Sequence, residues 1–126
     1  MCAGKSPGFE RKPDYALTME PAGKLVRVIF AGEIIATSDR AVVMHEGQYD
    51  PVYYVPSEDV RLDMLRRSDH STHCPFKGDA SYWSIEVGGS NVKNAVWSYE
   101  NPFDEVAEIA GALAFYPDKV DAIEVD

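Results

Sequence analysis

A chain of 126 residues, 45% hydrophobic and 26% charged, has the length and composition of one globular domain with a single core. Its 21 acidic residues outweigh 12 basic ones, for a formal net charge of -9. That excludes the broad basic surface of a non-specific nucleic-acid binder and leaves room only for a local basic pocket.

No apolar run is long enough to span a membrane, and no internal repeat is present. The opening "MCAGKSPGFERKP" lacks an apolar h-region, so neither a signal peptide nor lipid attachment at Cys2 is expected. Residues 1–23 are predicted to be a loose tail, and residues 24–126 a single domain. Two cysteines, Cys2 and Cys74, make no disulfide framework. A cytoplasmic protein with reduced thiols is expected, with no nucleic-acid or membrane partner; its oligomeric state is not predicted.

"KLVRVIFAGEIIATS" reads as a hairpin turning at Gly32-Glu33, with Val26, Val28, Phe30 and Ile35 on one face. "AVVMHE" and "PVYYV" follow as strands. "PSEDVRLDMLRRSD" is predicted as a short helix. Ser57 caps it, Glu58 and Asp59 suit its N-terminal end, Arg66 and Arg67 its C-terminal end, and Val60 and Met64 form the buried stripe. Those charges have a structural explanation, so Asp59 and Asp63 are not assigned as a metal pair.

"DASYWSIEVGGSNVKNAVWSYE" is a second hairpin, turning within Gly88–Asn91. Its register sets Tyr82 opposite Trp97, Ala80 opposite Tyr99 and Glu86 opposite Lys93. The other face carries Trp83, Ile85, Val87, Val92 and Val96. That apolar set is predicted to be the core side, and the aromatic set a half-exposed or ligand-facing surface. "NPFDEVAEIAG" is a second short helix, with Asn101 as cap, Pro102 at its first position and Gly111 at its end. "ALAFY" and "VDAIEV" close the fold around the turn "PDK". The fold class is mainly β (α+β): a curled antiparallel sheet or partly open barrel with two short helices.

The densest chemistry lies in "HSTHCPFKGDASYW". His73 and Lys77 would favour a reactive thiolate at Cys74, although no resolving cysteine is near in sequence. Zinc is not expected, because Cys74 with His45, His70 and His73 lacks any C-x-x-C pair. Neither "CPFKG" nor "VGGSN" is a P-loop, and no Asp-x-Asp pair follows Gly-Ser to hold magnesium. Arg40 and Glu46 lie six apart on one strand and are expected on one face, as an ion pair or a ligand clamp.

In order and spacing, "TSDRAVVMHE", "VYYVPSEDV", "STHCPFKGDASYW", "AVWSYENP" and "AGALAFYPDKVD" resemble a bacterial family known as domain of unknown function 427. The likeness runs from Lys24 to the C-terminus. It covers Ser38, Arg40, Glu46, Tyr54, Pro56, Thr72, Cys74, Pro75, Lys77, Gly78, Tyr82, Trp83, Trp97, Tyr99 and Pro102. The resemblance implies a β-tent (Mss4-like) fold, shared with the Yippee and type B methionine sulfoxide reductase domains. Several of these hold zinc on two C-x-x-C pairs, which are missing here. The family also carries a nucleotidyltransferase label, which the motifs of this chain do not support.

The functional expectation is a pocket for a small anionic or nucleotide-like ligand, with no cofactor and no metal. Tyr82, Trp97 and Tyr99 would wall it, Thr72, Cys74 and Lys77 would sit at its mouth, and Arg40, Glu46 and Tyr54 would complete the polar set. A non-catalytic protein- or peptide-binding module is the alternative, and thiol chemistry at Cys74 a third. No catalytic residue is assigned.

Overall fold

The computed structural model describes residues 3–126. Met1 and Cys2, and with them the expectation for Cys2, lie outside the described residues. The chain is mainly β. In order, its strands are β1 (Leu17–Pro21), β2 (Val26–Phe30), β3 (Glu33–Ser38), β4 (Val42–Glu46), β5 (Val52–Tyr54), β6 (Leu65–Cys74), β7 (Gly78–Val87), β8 (Ser90–Ser98), β9 (Leu113–Phe115) and β10 (Ala122–Val125). All their pairings are antiparallel.

Three ladders form: β1-β4-β5, β10-β2-β3 and β6-β7-β8-β9. Val55 and Leu113 exchange both backbone hydrogen bonds at 2.8 Å. This joins the first ladder to the third, edge to edge. The joined sheet curls strongly: Lys77, in the turn after the outermost strand β6, reaches Glu46 on β4. Residues facing each other across a ladder share a face. Ile85, Val96, Leu113 and Phe115 therefore lie on the outer face, where they pack with Val26, Val28, Phe30 and Ile35 of the β10-β2-β3 ladder. Met44, Tyr54, Ala80, Tyr82, Tyr99 and Ala114 lie on the concave face and make a second core. This outcome corrects the expectation that only one face of the second hairpin is buried.

Both hairpins contain bulges. The β2–β3 turn is Ala31-Gly32, with φ of 52° and 78°, one residue earlier than predicted. Such a turn needs two left-handed residues. Ile29 pairs with Ile34 and Val28 with Ala36, so Ile35 is the bulged residue. The bulge returns Ile35 to the face of Val26, Val28 and Phe30, and all four are buried as expected. In the second hairpin the turn is Gly88-Gly89, and Glu86 faces Asn91, not Lys93. A bulge then sets Lys93, Asn94 and Ala95 against Ser84, and beyond it Trp83 meets Val96 and Tyr82 meets Trp97, as predicted. Asn94 supports the bulge with φ of 52° and an N–H donated to Ser84 Oγ at 3.2 Å. Glu86 lies beside Arg66 instead, at 3.6 Å.

Both short helices are present as 3-10 turns. Residues 57–64 make two of them, Ser57–Asp59 and Leu62–Met64, separated by extended Val60. Val60 is drawn into a bridge with Ala36, and from Leu65 onward the chain is strand. Arg66 and Arg67 are therefore strand residues; pairing with β7 overrides local helix preference. The second, Asp104–Ile109, is kinked at Val106 and starts after Phe103, not at Asn101. Gly111 ends that segment at φ 73°.

The loose-tail expectation is corrected for residues 3–23. Ser6 is buried and caps a one-turn helix, α1 (Pro7–Arg11). Its hydroxyl and the Gly8 N–H both donate to the Pro75 carbonyl, at 2.9 and 2.8 Å. Phe9 and Tyr15 pack on Phe76, and β1 pairs with β4. The segment lacks hydrophobic periodicity because single side chains, not a stripe, make its contacts.

Candidate functional site

The curl gathers Glu46, Tyr54, Thr72, Cys74, Lys77, Tyr82, Trp97 and Tyr99 along the concave face. Glu46 lies across from Leu17, and Thr72 and Cys74 from Ala80 and Gly78. Arg40 is not among them. Its backbone N–H donates to Ser38 Oγ in the turn before β4, so strand alternation does not extend to it. Its exposed guanidinium instead grips both carboxylate oxygens of Asp59 at 3.1 Å. The Arg40–Glu46 pair is thus replaced by two separate pairs.

One end of the concave face is sealed. Lys77 Nζ donates to Glu46 Oε1 at 2.7 Å, and the Tyr15 hydroxyl donates to Glu46 Oε2 at 2.6 Å. The Lys77 and Glu46 side chains are only 13% and 18% exposed. Burial pushes the Glu46 carboxyl upward, but the bonds from Lys77 and Tyr15 outweigh it and hold the group below the usual range. The same bond to Glu46 pushes the Tyr15 hydroxyl up to about 12. Lys77 also lies 5.8 Å from the Tyr99 ring centre. Tyr15 stacks on Phe76 at 3.8 Å, and the Ser6–Gly8 contacts clamp the same turn. Cys74 is half-buried against the tyrosines. Of the two groups expected to activate it, Lys77 is committed to Glu46 and His73 bonds Asp79.

The other end is less buried at Trp97 and Tyr116. Trp97 and Tyr116 are half-buried, with ring centres 4.4 Å apart and planes tilted by 43°. Trp97 Nε1 donates to the Tyr54 hydroxyl at 3.3 Å, which fixes the indole. Thr72 and Tyr82 share a hydroxyl hydrogen bond at 2.9 Å, and His70 lies over Tyr82 at 4.5 Å. Burial, with the Tyr82 hydroxyl nearby, pushes the Tyr116 hydroxyl up to about 12. Lys119 Nζ sits 5.2 Å from the Tyr116 ring centre. It donates to the carbonyls of Lys93 and Asn94, at 3.3 and 3.4 Å, both within the β8 bulge. Among the described residues it has no carboxylate partner.

Tyr15, Tyr116 and Lys119 were not legible as site residues. Tyr15 stands in the segment taken for a tail, and "FYPDK" looks like an ordinary strand and turn. The only sequence signal was the tyrosine directly before Pro117 with a lysine three residues on.

His45 neighbours Glu20, His73 bonds Asp79 at 2.7 Å and His70 covers Tyr82. Asp59 is tied to Ser38 and Arg40, and Asp63 to Arg61. Among the described residues no three His, Cys, Asp or Glu side chains converge as a metal cluster would require.

The sequence model of a family described as Domain of unknown function (DUF427) matches residues 18–126. The segment that carries Ser6, Gly8, Phe9 and Tyr15 precedes that match. No curated protein matches the chain.

Proposed function

The chain belongs to the family of domain of unknown function 427, a description that specifies no activity, and we propose its function from the geometry of the less buried end: it binds a small, anionic, ring-bearing metabolite of the nucleotide kind. The carrying observation is the half-exposed Trp97–Tyr116 pair with the Lys119 ammonium beside it, uncommitted to any carboxylate. An aromatic plane takes the ring of the ligand, and a cation at its rim takes the negative group. Exposed Thr72, bonded to the Tyr82 hydroxyl, adds a polar group nearby. This reading moves the anion contact from Lys77, already neutralised by Glu46, to Lys119. No catalytic step is part of it. A curled sheet sealed at one end and less buried at the other also supports kinship with the β-tent folds.

A thermal-shift screen with nucleotides and sugar phosphates tests the proposal. Binding raises the melting temperature in proportion to RT ln(1 + [L]/Kd). The expected result is a shift with at least one nucleotide, reduced in Lys119→Ala and in Trp97→Phe. No shift with any anionic ring compound overturns it. If pull-downs then recover a partner chain, the protein-binding alternative takes its place.

A further inference from the structure

The outer face of the same hairpin carries a second recess. It lies between the turn at residues 57–64 and the β6–β9 ladder. Leu62, Leu65, Trp83 and Leu113 give it apolar walls, and Ser57, Ser98 and Glu100 are its polar residues. Leu62 is 53% exposed at its rim, a large apolar side chain left uncovered.

Ser98 is the unusual member. The residue is 1% exposed, and its hydroxyl is closed to solvent with no hydrogen-bond partner among the described residues. A buried hydroxyl without a partner costs stability, so native proteins rarely keep one without a use. Its cross-strand neighbours are Ser81 and Leu113, and the residue lines the recess, with its hydroxyl covered in the present rotamer. Glu100 stands at the edge. Arg67 grips it at 2.8 and 3.2 Å, and Ser81 donates to Oε1 at 2.8 Å. Oε2 thus accepts only the longer of the Arg67 bonds and keeps capacity for another donor. The Arg67 guanidinium lies over the Trp83 ring at 5.1 Å. The charges of Arg67 and Glu100 cancel, so the recess has no net attraction for an ion.

We propose that this recess is a second binding site, for an uncharged ring compound bearing hydroxyl groups. Its apolar face lies against Trp83 and the leucines, one hydroxyl meets the Ser98 hydroxyl when that side chain turns about its Cα–Cβ bond toward the recess, and another donates to Glu100. A sugar and a nucleoside share this chemistry. The site is independent of the anionic site on the concave face, since Ser98 and its neighbour Tyr99 point to opposite sides of the sheet.

The chain has two tryptophans, so Trp97→Phe leaves Trp83 as a fluorescent reporter of the recess. Titration of that variant with adenosine and with methyl glucoside is the test. In the wild type, the Trp83 indole N–H resonance, assigned by its loss in Trp83→Phe, gives the same reading without touching Trp97. At least one compound should give a saturable change, weakened about tenfold in Ser98→Ala, the usual worth of one lost hydrogen bond. A response to adenosine alone names a nucleoside, and one to the glucoside alone a sugar. No saturable change with either compound, or equal affinity in Ser98→Ala, overturns the proposal. Because both probes are uncharged and Trp83 reports, failure here is separable from failure at Lys119.

Discussion

Two lysines sit beside tyrosine rings at opposite ends of one concave face, and their situations are opposite. Lys77 lies 5.8 Å from Tyr99, largely buried, with its charge neutralised by Glu46. Lys119 lies 5.2 Å from Tyr116 and donates only to backbone carbonyls. A cation near an aromatic ring is therefore no sign of a ligand site by itself. What separates the two is the carboxylate: Lys77 has one and is held in the fold, and Lys119 has none among the described residues, which is what the proposed function draws on.

Glu46→Ala breaks the sealed end and has the largest expected effect. It leaves an ammonium largely buried without a counter-charge and removes the acceptor of Tyr15. Losing one partner of a buried pair costs about 3 kcal/mol, readable as a lower denaturant midpoint. The double variant Glu46→Leu/Lys77→Met should be milder than the single one, because no unpaired charge remains. Equal loss in both would mean that packing, not the ion pair, carries that end.

Gly8→Ala comes next. A Cβ at Gly8 would lie 2.7 Å from Phe76 Cδ1 and 2.8 Å from the Pro75 carbonyl, so α1 must shift off the turn that holds Lys77. Overpacking of this kind costs about 2 kcal/mol. Limited proteolysis should then cut near Phe9 and Tyr15 while the sheet stays intact. An unchanged cleavage pattern would refute the clamp.

These contacts mark the limit of what the residue pattern reveals. The Tyr82–Trp97 pairing was legible from a turn within Gly88–Asn91, but for a reason only partly right: the actual Gly88-Gly89 turn alone would set Tyr82 against Ala95, and the bulge at residues 93–95 restores Trp97. The partners of Lys77 and Arg40 were not legible. Glu46 and Asp59 are 31 and 19 residues away from them, and only the curl and the turn decide which carboxylate arrives. The proposed site at Lys119 was hidden for the same reason. Its position depends on carbonyls that a bulge turns outward, and bulges leave little trace in a hydrophobic pattern.

The acid limb of stability separates the two ends further. The folded Glu46 carboxyl titrates below its ordinary value of 4.5. Its contribution is therefore complete above that value and is lost as the pH falls through the lower folded one. The difference in stability between wild type and Glu46→Gln should shrink over that window. Tyr15 works in the opposite direction. Its bond to Glu46 is intact up to the ordinary tyrosine value of 10.0 and is lost as the pH climbs through about 12. Tyr15→Phe should accordingly flatten the alkaline limb. A pH-independent difference in either comparison would show that the hydrogen bonds to Glu46 do not govern the sealed end.

Lys119→Ala has the smallest expected effect on stability, and that smallness is the point of the comparison. The side chain gives up two long hydrogen bonds to carbonyls, at 3.3 and 3.4 Å, which water can replace. It leaves no charge stranded. The change in unfolding free energy should stay within about 0.5 kcal/mol, as for ordinary surface substitutions. A loss approaching that of Glu46→Ala would make Lys119 a structural lysine like Lys77, clamping the β8 bulge to the "PDK" turn. A silent substitution that also removes the nucleotide-dependent rise in melting temperature would place the cation on the ligand's side, with the bulge carbonyls as the device that holds it over Tyr116.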